Sequence, residues 1–132
     1  MTKKQSVKYI DAFVLVVPKS KVVAYRKMAK DAGKIWVKYG ALGYKECMGD
    51  DLNPDMQGYP FLAFPQMTNL KPTETVWFSY IEYQSKAHRN AVNKKVMKEM
   101  EVAHKDEADH MKNIPFDLAR MAFGGFKVEV SS

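Results

Sequence analysis

Near its N-terminus the chain reads Val7-Lys8-Tyr9-Ile10-Asp11-Ala12-Phe13-Val14-Leu15-Val16-Val17. The run is rich in β-branched and aromatic residues and is followed by Pro18, so it predicts a β-strand. Successive side chains of a strand point to opposite faces of a sheet. Here both alternating sets are apolar: Ile10, Ala12, Val14 and Val16 in one, and Tyr9, Phe13, Leu15 and Val17 in the other. We therefore expect both faces of this strand to be covered.

The segments that follow alternate between helical and strand-like patterns. Residues 19–39 carry apolar side chains at steps of three and four, which predicts a helix that Ser20 caps and Gly40 ends. A second helix is predicted over residues 85–103, with Ser85 as its N-cap. Further strands are predicted over residues 41–48, 74–83 and 120–130. A long loop over residues 49–72, which holds four of the six prolines, is predicted to contain one short turn of structure near residues 61–67.

The predicted element order, β-α-β-β-α-β, is that of the ferredoxin-like fold. This α+β fold has a four-stranded antiparallel sheet with both helices on one face. The strand over residues 74–83 repeats the doubly apolar pattern of the first strand, and two helices cannot cover two faces. A second copy of the chain is the simplest cover. We therefore expect a homodimeric α+β barrel in which residues 1–132 form a single domain.

Several short segments spread along the chain match the pattern of one family: Tyr9 to Phe13, Gly40 to Leu42, Glu46-Cys47, Gly49 to Asp51, Ala87 to Arg89, Val92-Asn93, Val96-Met97, Arg120-Met121 and Gly124 to Phe126. The chain is similar to the YbaA-like family of small bacterial proteins of unknown function, within the dimeric α+β barrel group. It departs from the family pattern at Ala12, where the family tends to have glycine, and in a longer loop between Gly49 and Thr75. The resemblance implies the barrel fold and supplies no established reaction.

The net charge of +6 raises the question of a nucleic-acid partner. Only three of the 21 basic residues are arginines, and the rest are lysines. Lysine is a common solvated surface residue, whereas phosphate and base recognition relies heavily on arginine. The charge therefore does not favour nucleic acid as a partner.

Cysteine usage and hydropathy bear on the compartment. The single cysteine, Cys47, excludes an internal disulfide and suits a reducing environment. The longest apolar run, residues 12–17, is too short to cross a bilayer, and the N-terminal residues show no signal-peptide pattern. We expect a cytoplasmic protein with no membrane partner.

Asp11 is the first candidate site residue, because it interrupts the apolar strand at residues 7–17. A buried carboxylate is costly unless it is paired, protonated or functional. If the helices cover the aliphatic set that contains Ile10 and Val14, Asp11 points into a cavity between the two sheets of a dimer. The alternatives are a binding site, a structural ion pair and a contact that fixes the dimer register.

Arg89 and Asn93 lie four residues apart inside the apolar arc of the second helix, which is formed by Val92, Val96, Met97 and Met100. One explanation is that Arg89 extends to solvent and Asn93 caps a backbone group. The other is a polar pocket between helix and sheet, with Arg89 as an anion clamp. His88 lies at the edge of this arc. Its side chain could serve acid–base chemistry, and the alternative is that it is merely exposed to solvent. Arg120 completes the set of candidate ligand-binding residues.

The remaining motifs are weaker indications of a catalytic or metal site. Glu46 shares its strand face with Leu42, Tyr44 and Met48, while Cys47 has no neighbouring base that would activate it as a nucleophile. Residues 51–55 resemble the start of a calcium loop but lack its glycine and its closing glutamate. The spacing of His104, Glu107 and His110 spreads them over the surface of a helix. The sequence therefore predicts no metal and no cofactor.

Residues 78–83 approximate the aromatic half of an RNA-binding motif. Base stacking would need Phe78 and Tyr80 exposed on the sheet, and the basic residue and glycine that lead the motif are replaced by Val76 and Trp77. The main prediction is a barrel that binds a small polar or anionic molecule, with cofactor-independent chemistry left open. A structural or interaction protein without catalysis is the first alternative, and RNA binding is the second.

Overall fold

The computed structural model describes residues 6–103 and 113–132. Two 3₁₀ turns, Lys19–Lys21 and Leu118–Arg120, accompany the helices and strands. The predicted β-α-β-β-α-β order is confirmed, with one added short helix, α2, in the segment where a turn was expected. The elements are β1 (Tyr9–Pro18), α1 (Val22–Lys38), β2 (Gly43–Met48), α2 (Phe64–Met67), β3 (Glu74–Tyr83), α3 (Lys86–Ala103) and β4 (Ala122–Lys127).

The four strands form one antiparallel sheet in the order β2-β3-β1-β4. The two longest strands lie at its centre, with Tyr9 opposite Tyr83 and Pro18 opposite Glu74. This is the predicted α+β, ferredoxin-like arrangement, and β2 and β4 are its edge strands.

The helix ends explain why the helices start and stop where they do. Gly40 adopts a left-handed φ of 112°, which allows the chain to turn out of α1 as predicted. The Ser85 hydroxyl accepts a hydrogen bond of 3.0 Å from the backbone N–H of His88, so Ser85 caps α3 as predicted. The prediction for Ser20 is wrong. It lies inside the 3₁₀ turn that continues from β1, and Lys21 precedes α1 without a side-chain cap.

Both long helices pack on the same face of the sheet, as the fold requires. Tyr25 and Ala29 of α1 are buried with Leu15, Val17 and Trp77. On α3, the buried side chains of Val92 and Val96 pack with Ile81 and Tyr83. The helices therefore cover the set of β1 that contains Tyr9, Asp11 and Leu15, not the aliphatic set. The expectation that Asp11 points away from the helices is wrong, because its ion-pair partner comes from α3.

The opposite face of the sheet carries the aliphatic set, and neither α1 nor α3 packs on it. We call this the open face, although Val16 and Val76 at one end of it are buried. Its exposed or half-buried apolar members are Ile10, Ala12, Val14, Phe78, Tyr80 and Phe126. The exposed fractions of Phe78 and Phe126 are 43% and 60%. An apolar sheet face of this kind is the feature that predicts a second copy of the chain.

The edge strands are shorter than predicted. The Leu42 N–H already pairs with Glu82, but β2 begins at Gly43 instead of residue 41. Because Arg120 ends a 3₁₀ turn, β4 covers Ala122–Lys127 instead of 120–130. The motif at His104, Glu107 and His110 lies outside the described residues. Within residues 6–103 and 113–132, no helix is both long and apolar enough to cross a membrane.

Candidate functional site

Four of the five predicted site residues lie together between β1, β3 and α3. Arg89 contacts Asp11 directly, and both Asn93 and His88 contact Tyr83. Arg120 lies elsewhere, at the start of β3. The structure thus brings Asp11, His88, Arg89 and Asn93 into one cluster and separates Arg120 from them.

Asp11 and Arg89 form a buried ion pair. The Nη1 of Arg89 donates to Oδ1 of Asp11 at 2.8 Å, and the two side chains are 15% and 2% exposed. The guanidinium also donates to the Tyr9 hydroxyl and lies 5.1 Å from the centre of its ring. Burial raises the pKa of the Asp11 carboxyl above its usual value, although the charge of Arg89 opposes that rise. Because Arg89 is already paired, this geometry is that of the structural ion pair and not of an open anion clamp.

Asn93 links three elements instead of capping a backbone group. Its Oδ1 accepts hydrogen bonds from Trp36 Nε1 at 3.2 Å and from the Tyr83 hydroxyl at 3.3 Å. His88 is half-buried, and its Nδ1 accepts from the backbone N–H of Gln84 at 3.0 Å, which leaves the ring proton on Nε2 when the imidazole is neutral. Within the described residues, every buried side-chain nitrogen and oxygen has a hydrogen-bond partner. The cluster is therefore internally satisfied.

Arg120 ties the base of the long loop to the sheet. Its guanidinium contacts both carboxylate oxygens of Glu74 and one of Asp117, and it donates to the backbone oxygens of Thr68 and Asn69. These hydrogen bonds from Arg120 lower the pKa of Glu74 to about 2. The position indicates a role in holding the loop.

A half-open cavity of about 500 Å³ lies between the sheet and the two long helices, and we call it the helix–sheet cavity. Its described lining comes from every layer of the fold and is largely apolar. Three sulfur-containing side chains on α1 and α3 face two aromatic side chains from β1 and the C-terminal segment. The main lining residues are Phe13, Leu15, Met28, Ala32, Ile35, Ile81, Met97, Met100, Ile114, Phe116 and Met121.

The polar residues of the lining include Asp31, Glu46 and Ser79, and of the two carboxylates Glu46 is the more buried. Its Oε2 accepts a hydrogen bond of 2.7 Å from the Tyr25 hydroxyl, and its Oε1 accepts one of 2.8 Å from the Tyr44 hydroxyl. The hydroxyl of Ser79, on the neighbouring strand, is a third hydrogen-bond partner. Burial raises the pKa of Glu46 above its usual value despite these hydrogen bonds. A carboxyl in such surroundings can hold its proton at a higher pH than a solvated one.

The local sequence explains how Glu46 is positioned. Tyr44 and Glu46 alternate on β2 and so share the face below α1. Gly33 of α1 lies directly against the Tyr44 ring: a Cβ atom at residue 33 would come within 2.7 Å of Tyr44 Cδ1. The absence of a side chain at residue 33 thus lets Tyr44 pack beneath the helix. Burial and the Glu46 carboxylate raise the pKa of both Tyr25 and Tyr44, so both hydroxyls stay protonated as donors.

Sequence reasoning did not select Glu46, Tyr25 or Tyr44 as site residues. The available signal was an acidic residue on the same strand face as Tyr44. The partner on α1 is 21 residues distant in sequence, and no local pattern joins it to β2. Cys47 is exposed on the open face. In the part of the chain that the structure describes, no three His, Cys, Asp or Glu side chains converge in a way that could hold a metal ion.

Comparison with known proteins places the chain in a family. Residues 8–118 match the family model described as "Protein of unknown function (DUF1428)". The chain belongs to this family. Its similar relatives include the proteins named "Uncharacterized protein YbaA" from Escherichia coli (strain K12) and from Shigella flexneri. Each is 38% identical over 120 residues, which cover 91% of this chain and 95% of the relative. The family membership confirms the resemblance seen in the sequence.

Proposed function

We propose that this protein binds a small, largely apolar molecule in the helix–sheet cavity and hydrogen-bonds its polar end through Glu46. The observation that carries the proposal is a cavity of about 500 Å³ with a largely apolar lining and one half-buried carboxyl group, Glu46, held by two tyrosine hydroxyls. Small-molecule sites are usually preformed, mostly apolar cavities of about this size with few polar groups. The composition of the lining favours an apolar ligand over the polar or anionic one that the sequence suggested.

The proposal extends to cofactor-independent proton transfer at Glu46. Efficient general acid–base catalysis needs a group whose pKa lies near the working pH, and burial moves the pKa of Glu46 upwards in that direction. Tyr25 and Tyr44 fix both carboxyl oxygens, so the group is already oriented before a ligand arrives. The expected chemistry is removal of a proton from the bound molecule, or its return, at one carboxyl oxygen.

A cytoplasmic homodimer forms part of the same proposal. Two open faces packed together would cover Phe78 and Phe126 and leave the helix–sheet cavity of each copy intact. The single cysteine supports a reducing compartment.

Two alternatives compete with ligand binding. A structural or interaction protein without catalysis would leave the cavity empty. RNA binding would use Phe78 and Tyr80, whose rings lie 5.8 Å apart, with Lys45 beside Tyr80. The open face cannot bind RNA and also be buried in a dimer of this kind. The oligomeric state therefore discriminates between RNA binding and dimerisation through this face.

The experiment titrates the neutral apolar fluorophore N-phenyl-1-naphthylamine into the protein. We expect saturable binding that disappears in Ala32→Phe, because Ala32 lines the cavity and the added ring fills it. Ala24→Phe is the matched control, since Ala24 is exposed on the same helix and is not part of the lining.

The milder variant Ala32→Leu should weaken binding by an intermediate amount, which guards against a folding defect in Ala32→Phe. Circular dichroism of each variant checks the fold. Equal affinity in wild type, Ala32→Phe and Ala24→Phe would place the fluorophore elsewhere and contradict the proposal, as would the absence of any binding.

A further inference from the structure

A second cavity lies between α1 and the edge strand β2, with a volume of about 430 Å³. We call it the α1–β2 groove. The α1 side is formed by residues at helical steps of three and four, which share one face of the helix. Tyr44 and Glu46 form a wall common to this groove and to the helix–sheet cavity. The described lining is Arg26, Ala29, Lys30 and Gly33 from α1, with Tyr44, Glu46, Met48 and Trp77 from the sheet.

The charges of this groove are unbalanced. Arg26 and Lys30 are both exposed, and neither forms an ion pair or hydrogen bond within the described residues. The two are four residues apart on a helix, which places their Cβ atoms about 6 Å from each other. Glu46 is the acidic residue of the lining, and its carboxyl already accepts hydrogen bonds from Tyr25 and Tyr44. Among the described residues, the side chains of Arg26 and Lys30 therefore face the groove without a partner for their charge.

The rest of the lining is apolar. Met48 lies on the exposed edge of β2, and Trp77 is buried beneath it on β3. Ala29 and Gly33 contribute little bulk on the helix side, so the groove has room beside the two cations. An arginine and a lysine above an apolar floor match a molecule with an anionic group at one end and an apolar body.

We propose that the α1–β2 groove binds a small organic anion, with its carboxylate or phosphate group at Arg26 and Lys30 and its apolar part against Met48 and Trp77. The cationic contacts of this site are separate from the proposed function, because Arg26 and Lys30 do not line the helix–sheet cavity, whereas Tyr44 and Glu46 line both. The site is also distinct from the Asp11–Arg89 pair, which is closed on itself.

The test titrates benzoate into ¹⁵N-labelled protein at low ionic strength and follows the amide signals of Lys30, Gly33 and Met48, which line the groove but not the helix–sheet cavity. Benzamide, the neutral molecule of the same shape, serves as the ligand control. We expect benzoate to bind at least about tenfold more tightly than benzamide, since tenfold corresponds to about 1.4 kcal/mol. Because the anion contact is exposed, added salt should weaken it.

Two charge-matched double variants decide the location. Arg26→Gln/Lys30→Gln should lose at least about tenfold in benzoate affinity, whereas Lys21→Gln/Lys34→Gln should retain wild-type affinity because those lysines lie outside the groove lining. Equal weakening in both variants would mean that benzoate responds to general positive charge, and the proposal would then be wrong. Saturable shifts away from the groove, or none, would overturn it as well. Inorganic phosphate in place of benzoate reports whether the apolar floor contributes.

Discussion

Glu46 and Asp11 are both carboxylates beneath the helices, but they are stabilised in different ways. Asp11 has a cation, Arg89, at 2.8 Å, whereas the contacts of Glu46 are neutral hydroxyl groups. The pKa of each is raised by burial, but only Asp11 has an opposite charge beside it. Glu46 is therefore the carboxyl that can change its protonation without breaking an ion pair.

The first prediction concerns Glu46→Gln. The folded-state pKa of Glu46 lies above its ordinary value of 4.5. In the wild type, stability is therefore lost as the pH rises from that ordinary value to the raised pKa of the folded state. Glutamine is neutral at all pH values and keeps one acceptor and one donor for the two hydroxyl groups. We expect the melting temperature of Glu46→Gln to match the wild type below pH 4.5 and to exceed it increasingly above that pH. A variant that melts below the wild type at every pH would show that the carboxylate itself supports the fold.

The second prediction concerns the Asp11–Arg89 pair. Arg89→Leu leaves the buried Asp11 without its cation and should cost about 3 kcal/mol of unfolding free energy at neutral pH. The cost should shrink in acid, where Asp11 is protonated. The double variant Asp11→Leu/Arg89→Leu should recover most of the loss, because no buried charge remains.

Urea unfolding of the two single variants and the double variant measures the coupling between these residues. Lys94→Leu, on the exposed side of α3, is the control for loss of one charge from the same helix. Additive effects of the two single changes would contradict the ion pair as the reason these residues interrupt the apolar pattern.

At the scale of elements, Arg120 is a side-chain anchor of the long connection between β2 and β3. Arg120 reaches from the turn before β4 to Glu74 and to the backbone oxygens of Thr68 and Asn69. The guanidinium of Arg120 thus joins three segments: the turn before β4, the start of β3 and the end of the long loop. The apolar side chains of the loop do less, since Tyr59, Leu62 and Met67 are largely exposed.

The third prediction is that Arg120→Gln loosens this connection. We expect faster hydrogen exchange at the amides of Thr68 and Leu70, with a lower melting temperature. The pKa of Glu74 is lowered from 4.5 to about 2, so its ionised form contributes stability above pH 4.5 that is lost towards pH 2. The difference in melting temperature between wild type and Arg120→Gln should therefore narrow as the pH falls from 4.5 towards 2.

Lys127→Gln provides the comparison, because the contact of Lys127 with Glu129 is exposed and should have little effect. If Arg120→Gln and Lys127→Gln exchange alike at Thr68 and Leu70, the anchor does not act as described.

At the scale of the whole molecule, the two faces of the sheet differ in how they are covered. Helices α1 and α3 bury one face, while the open face presents Phe78 on β3 and Phe126 on β4, on either side of β1. A monomer would leave this apolar surface in water, at a cost that association with a second copy removes.

The fourth prediction follows from the open face. Light scattering of the wild type should give about twice the chain mass of 15.1 kDa, and Phe78→Lys should shift it towards 15.1 kDa. Val23→Lys is the control, since Val23 is 79% exposed on α1, away from the open face. A folded wild-type monomer at micromolar concentration would contradict the barrel and would leave Phe78 and Tyr80 available for other partners.

The sequence by itself determined the elements and their order. The bounds of β3 follow from an unbroken run of β-branched and aromatic residues, and the start of α3 follows from Ser85. Each of these signals is local, because it lies within a few residues of the element boundary that it marks. The sequence also marked Asp11, Arg89 and Asn93, since each breaks a local apolar pattern that the structure then explains by contacts among them and their neighbours.

Only the tertiary structure decided which face of β1 the helices cover, because both faces are apolar and local pattern cannot rank them. It likewise decided that Glu46 lies in a cavity. Its hydroxyl partners come from β2 itself and from α1, and the α1 partner meets it only after that helix has packed across the sheet. Periodicity reports which side of an element is apolar, whereas a site arises where separate elements converge, and that convergence is fixed by packing over long sequence distances.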